Sequence, residues 1–118
     1  MEKLTIERIK ADALRDGGAT YTAKGDAVAL SRGYVVSLDY VGIVTTFARL
    51  SAHDVRKIKA RAKKYGGFVG VWLDEKTGLL YLDVSQVYDD EKRAELFARA
   101  NRQFAYYDAS RAVSVYLD

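Results

Sequence analysis

The sequence has no cysteine, no proline, one histidine and one tryptophan. Without cysteine there is no disulfide framework and no thiolate metal cluster. That absence fits a reducing compartment, so a cytoplasmic protein is expected. Without proline, the turns fall to nine glycines. No apolar run approaches the ~18 residues of a membrane span. The opening stretch MEKLTIERIK alternates charged and apolar residues instead of forming the apolar core of a signal peptide.

The missing motifs narrow the chemistry further. His53 is the only imidazole and falls in the first turn of an expected helix. A Ser-His-Asp triad would have to use it, and no G-x-S-x-G elbow accompanies it. The glycines of YGGFVGVW fit neither G-x-G-x-x-G nor a Walker loop. Acids cluster at Asp74–Glu75 and at Asp89–Asp90–Glu91, the first a hairpin tip and the second a helix N-terminus, where carboxylates favour the dipole. Asp83, inside a strand, and Asp39, at a strand end, have no such local explanation. None of this has metal-ligand spacing. A non-enzymatic role with no cofactor and no metal is therefore expected.

What the chain does contain is enough for one globular domain over residues 1–118, with 49% hydrophobic and 30% charged residues. Thr5 opens a helix over 5–15, and Asp16-Gly17-Gly18 ends it. ATYTAK, DAVALS, GYVVSLD and GIVTTFARL read as turn-punctuated strands of an antiparallel meander between Ala19 and Leu50. A second helix spans 52–65, between the S-x-x-D cap of Ser51 and Asp54 and the Gly66-Gly67 stop. FVGVWL and LLYLDVSQV form a hairpin with Gly78 in its turn, a third helix covers Asp90–Phe104, and FAYYD and AVSVYL close the chain. The expectation is an α+β fold: an antiparallel or mixed sheet of about six strands with three helices packed on it.

One feature stands out. Between residues 56 and 64 lie six basic residues, Arg56, Lys57, Lys59, Arg61, Lys63 and Lys64. With Asp54 they give residues 51–67 a charge of +5, so the remainder of this +3 chain is net acidic. On a helix, Val55, Ile58, Ala62 and Tyr65 form a narrow inward seam and the cations occupy the rest of the circumference. A solvated helix face usually mixes signs, as Asp89–Arg93 and Glu95–Arg99 do in the third helix. Here Lys59–Lys63, Lys57–Arg61, Arg56–Lys59 and Arg61–Lys64 repel, at roughly 0.2–0.5 kcal/mol each before screening. Acids elsewhere in the fold could cancel that cost, and so could a polyanion. Both accounts, a plain solvated face and a binding surface, stay open. The helix carries no Asn or Gln to read bases, so only backbone contact is suggested.

The stretch GFVGVWLDEKTGLLYLDVSQVYDD followed by ARANRQFAYYD resembles small accessory proteins of bacteriophages and conjugative elements. The resemblance implies a compact protein acting on host machinery, including as an inhibitor of a bacterial defence system. The leading expectation is thus a binding protein whose partner is a nucleic acid or a host nucleoprotein complex, or an acidic protein surface, and not a membrane. A second reading is an interaction or structural module using sheet and tyrosine surfaces, with RAVSVYLD either an edge strand pairing two copies into a homodimer or a strand buried mid-sheet. A third is a small-molecule binder or enzyme with a Tyr-lined pocket.

Overall fold

The computed structural model describes residues 4–39 and 41–118. Local chemistry sets its three helices. Thr5 Oγ1 accepts from Arg8 N at 3.1 Å to start α1 (Ile6–Asp16), and Gly17, at φ 80°, returns its N–H to Ala13 O. In α2 (Ala52–Tyr65) the Ser51–Asp54 capping box is complete, and Gly66 takes the left-handed cap at φ 65°. Asp90 caps α3 (Glu91–Ala100). This helix stops four residues short of the expected Phe104. Arg102 turns left-handed (φ 57°), Gln103 N–H bonds back to Ala98 O, and Phe104 is 86% exposed.

The sheet is organised around one long strand, β5 (Leu79–Tyr88). β4 (Phe68–Leu73) lies along one edge of β5, joined to it through Asp74–Gly78. The other edge is shared end to end: β3 (Ile43–Thr46) pairs with residues 79–82 and β2 (Tyr34–Ser37) with residues 85–88. β1 (Gly18–Tyr21) lies outside β4, and β6 (Ala105–Asp108) lies outside β2. β7 (Val113–Tyr116) forms the far edge. All seven strands are antiparallel to their neighbours.

Two expectations need correction. Residues 19–50 are not a meander, because β1 pairs with β4, β2 with β5 and β6, and β3 with β5. DAVALS is not a strand: it makes one bridge, Ala27 to Tyr21, and Val28 N–H reaches Thr20 O. The reason is topological. β1 and β2 are separated by β4 and β5, so the connection between them must cross the sheet. The question left open for RAVSVYLD is also answered, since β7 is an edge strand and not buried mid-sheet.

Alternation along the strands gives the sheet two unlike faces. On one, Val69, Val71, Leu80, Leu82 and Val84 meet Ile9 and Ala13 of α1 and Val55, Ile58 and Ala62 of α2. Farther along the same face, Val36 and Tyr106 meet Ala94 and Ala98 of α3. Polar anchors tie these layers together. Tyr21 donates to Asp12 at 2.6 Å and Tyr106 donates to Glu91 at 2.6 Å. Burial and the Glu91 carboxylate push the Tyr106 phenol up to about 12. Among the described residues no helix covers the opposite face, which carries Ser37, Gly70, Trp72, Tyr81, Asp83, Ser85 and Tyr107. Among the described residues no helix is long and apolar enough to cross a membrane.

Candidate functional site

Val55, Ile58 and Ala62 anchor α2 to the sheet, so its remaining circumference faces outward. Arg56, Lys57, Lys63 and Lys64 are exposed, and Lys59 and Arg61 are half-buried. Arg61 Nη1 donates to Val41 O at 2.9 Å and Gly42 O at 3.3 Å, holding the loop between β2 and β3. Lys64 Nζ lies 5.6 Å from the Tyr65 ring centre. Among the described residues, no carboxylate lies within ion-pair distance of any of the six cations. Asp54, the one acid of the helix, instead accepts from both Ser51 N and Ser51 Oγ at 3.0 Å. The flanking helices differ. Asp12 pairs with Arg8 and Arg15 on α1, and Glu95 with Arg99 on α3, although the expected Asp89–Arg93 pair is not formed among the described residues.

The structure places Tyr65 outward, 45% exposed, and not in the inward seam. The chain leaves the helix at Gly66 and turns beneath Ala62, whose carbonyl accepts from Gly67 N. The seam therefore ends at Ala62. Tyr65 lies beyond it, its own carbonyl taken by Gln86 Nε2 at 2.8 Å.

The uncovered face holds a second constellation, which sequence reasoning left unassembled. The connection from β1 to β2 passes over it, and residues Ala27–Leu30 wall a concavity of about 950 Å³. Val28 and Leu30 are half-buried against it, whereas Ala27 and Ala29 are exposed. On its floor sits Asp83, flanked by Ser37, Ser85 and Gly70 from three different strands. Ser37 Oγ donates to Asp83 Oδ2 at 3.1 Å, and Ser85 also hydrogen-bonds this carboxyl. Burial pushes the carboxyl above its ordinary value, and the two serine hydroxyls partly offset that rise. The available signal was the register of LLYLDVSQV: with Leu80, Leu82 and Val84 inward, Asp83 has to face the other side in mid-strand.

Three of the other acids, Asp74, Asp90 and Asp39, do local structural work. Asp74 accepts from Lys76 N in the hairpin, and Asp90 accepts from Lys92 N as a helix cap. Asp39 pairs with Arg102 at 3.8 Å while its backbone N–H bonds Asn101 Oδ1, joining the β2–β3 loop to the end of α3. His53 is exposed. Among the described residues no three His, Cys, Asp or Glu side chains come together as a metal site. Compared with protein-family models, curated proteins and solved structures, the chain matches none.

Proposed function

We propose that the protein is a non-enzymatic binding protein that docks through α2 on the phosphate backbone of a nucleic acid, free or within a host nucleoprotein complex. The observation that supports this reading is the set of six cations on α2 that meet no carboxylate, where α1 and α3 each carry at least one i,i+4 ion pair. A 14-residue helix is about 21 Å long. Over that length duplex DNA presents on the order of a dozen phosphates. Counterion release on contact would offset the mutual repulsion of the helix. With no Asn or Gln on α2, the contact is positional and not sequence-reading. In the phage or mobile-element setting that the resemblance implies, docking of this kind would act on a host defence or nucleic-acid-handling complex.

The test is a charge reversal confined to fully exposed positions, Arg56→Glu, Lys57→Glu and Lys63→Glu, which spares the loop-holding Arg61 and takes residues 51–67 from +5 to −1. Wild-type binding to duplex and single-stranded probes should weaken with salt, with a log–log slope of about −0.9 per phosphate contact on duplex. The variant should lose binding while keeping its circular dichroism. Equal binding by variant and wild type, or no salt-dependent binding by either, overturns the reading. Preference for polyglutamate over nucleic acid would move it to an acidic protein surface.

A homodimer is supported by a separate observation. Among the described strands β7 pairs only with β6, which leaves its outer backbone edge open. Open strand edges of this kind pair readily with a second copy. Light scattering that finds only monomer at high concentration removes this reading.

A further inference from the structure

We infer that the concavity on the helix-free face of the sheet binds a small organic cation, an ammonium or guanidinium group on an apolar body, with Asp83 as the anionic anchor and Trp72 as the aromatic wall. The site lies on the opposite side of the sheet from α2 and does not depend on how that helix is read.

The carboxyl itself is the first argument. Asp83 sits in mid-strand on β5, paired with Gly70 of β4 on one side and lying on the other between the ends of β2 and β3. Among the described residues no Lys, Arg or His is within ion-pair distance of it. Asp83 is half-buried, and a partly desolvated carboxylate without a counter-charge is still costly where a sheet position offers many neutral alternatives. Its two serine partners leave acceptor capacity unused, because a carboxylate can take about four hydrogen bonds. Room for the group is built in. Gly70 stands directly opposite, and a Cβ there would collide with Asp83 Oδ1.

Charge and shape supply the rest. Of the acids lining the concavity, Asp12 and Asp16 are paired with Arg8 and Arg15, which leaves Asp83, among the described residues, as its one uncompensated charge. The space is therefore net acidic in a chain of charge +3. The wall formed by Ala27–Leu30 carries no charge. One step along the same two strands, Trp72 faces Tyr81 with ring centres 5.1 Å apart. That step is about 7 Å, so an amine held by Asp83 lays its apolar body on this aromatic pair. A volume of about 950 Å³ beneath a crossing segment suits a small molecule.

Trp72 is the only tryptophan, is 53% exposed and lines the site, so its fluorescence reports occupancy directly. The experiment titrates the full chain with phenethylamine, tryptamine and agmatine, and with 2-phenylethanol and phenylacetate as neutral and anionic counterparts. Tryptamine is followed by amide shifts alone, because its own indole fluoresces. At least one amine should give a saturable change in Trp72 fluorescence, or in the amide shifts of Ser37, Gly70 and Asp83, that phenylacetate does not. Asp83→Asn keeps a partner for both serine hydroxyls and should weaken that amine roughly tenfold or more. Leu30→Trp, which fills the space from the crossing segment, should block it independently and is read by amide shifts. The inference is overturned if no amine saturates, if phenylacetate binds as well as its amine counterpart, or if folded Asp83→Asn binds the amine unchanged. Should Asp83→Asn fail to fold, unchanged amine binding by Leu30→Trp overturns it instead.

Discussion

Gly70 and Asp83 face each other across β4 and β5, and the Asp83 carboxyl occupies the space that a side chain at position 70 would need. The obstruction is a side chain that can rotate. Gly67 differs, because a Cβ there would lie 2.6 Å from the backbone oxygen of Ser85, which the ladder holds in place.

Gly67→Ala should accordingly cost more than Gly70→Ala, roughly 3 kcal/mol against 1–2 kcal/mol on the scale of overpacked interiors. Urea unfolding of both variants measures the difference. The cause of the smaller cost is tested by repeating Gly70→Ala in an Asp83→Ala background, where it should be nearly neutral. The same cost in both backgrounds would show that the carboxyl is not the obstruction.

Asp108 should make stability depend on acid. It is buried at the β6–β7 turn and accepts from Arg111 Nε at 2.7 Å, Ser110 Oγ at 2.9 Å and the N–H groups of both residues. The Arg111 guanidinium, aided by Ser110, holds its carboxyl below the usual carboxylate range. A pKa lower in the folded than in the unfolded chain adds stability above the unfolded value, and this is lost as pH falls through the folded one. Asp108→Asn should thus lower Tm at pH 7 and converge with wild type in strong acid. Melts at pH 7 and pH 2 check this, and an equal difference at both would refute the charge argument.

How much could be read in advance depended on how local the determinant was. The bounds of α2 were legible because Ser51, Asp54 and Gly66 all lie within the segment they terminate. The end of α3 was not, since a left-handed Arg102 has no sequence marker of the kind glycine provides. The pairing of β1 with β4 joins residues some fifty positions apart, and nothing in GATY specifies it. The site followed the same division. The cations of α2 could be placed on the outer surface from periodicity alone, but Tyr65 was misassigned because the seam ends where the chain turns under Ala62. Asp83 could be flagged as unexplained. Its setting could not be assembled, because Ser37, Gly70 and the segment Ala27–Leu30 reach it only through the sheet order.

The capping box of α2 gives a stability test that leaves its outer surface untouched. Ser51→Ala removes the acceptor for Asp54 N and should cost about 1 kcal/mol. For a domain near this size that is about 4 °C in Tm. Asp54→Ala should cost a similar amount, and the double variant less than the sum, because each side chain caps the other's backbone. Thermal melts of the three proteins close the cycle, and strict additivity would argue against the reciprocal cap.

The end-to-end sharing of one edge of β5 bears on how the molecule comes apart. β2 and β3 each hold only part of that edge, while β4 runs along residues 80–85 of the other. Detaching β3, or β2 together with β6 and β7, leaves the β4–β5 hairpin intact, and its short connection also closes with little loss of chain entropy. Local openings should therefore be graded. Amide hydrogens of β7 would exchange with solvent early, and those of Tyr81 and Asp83, which face β4, only when the whole domain opens. The rate-limiting event for losing protection at Asp83 would then be global unfolding, so its backbone position persists through every partial excursion of the strands around it.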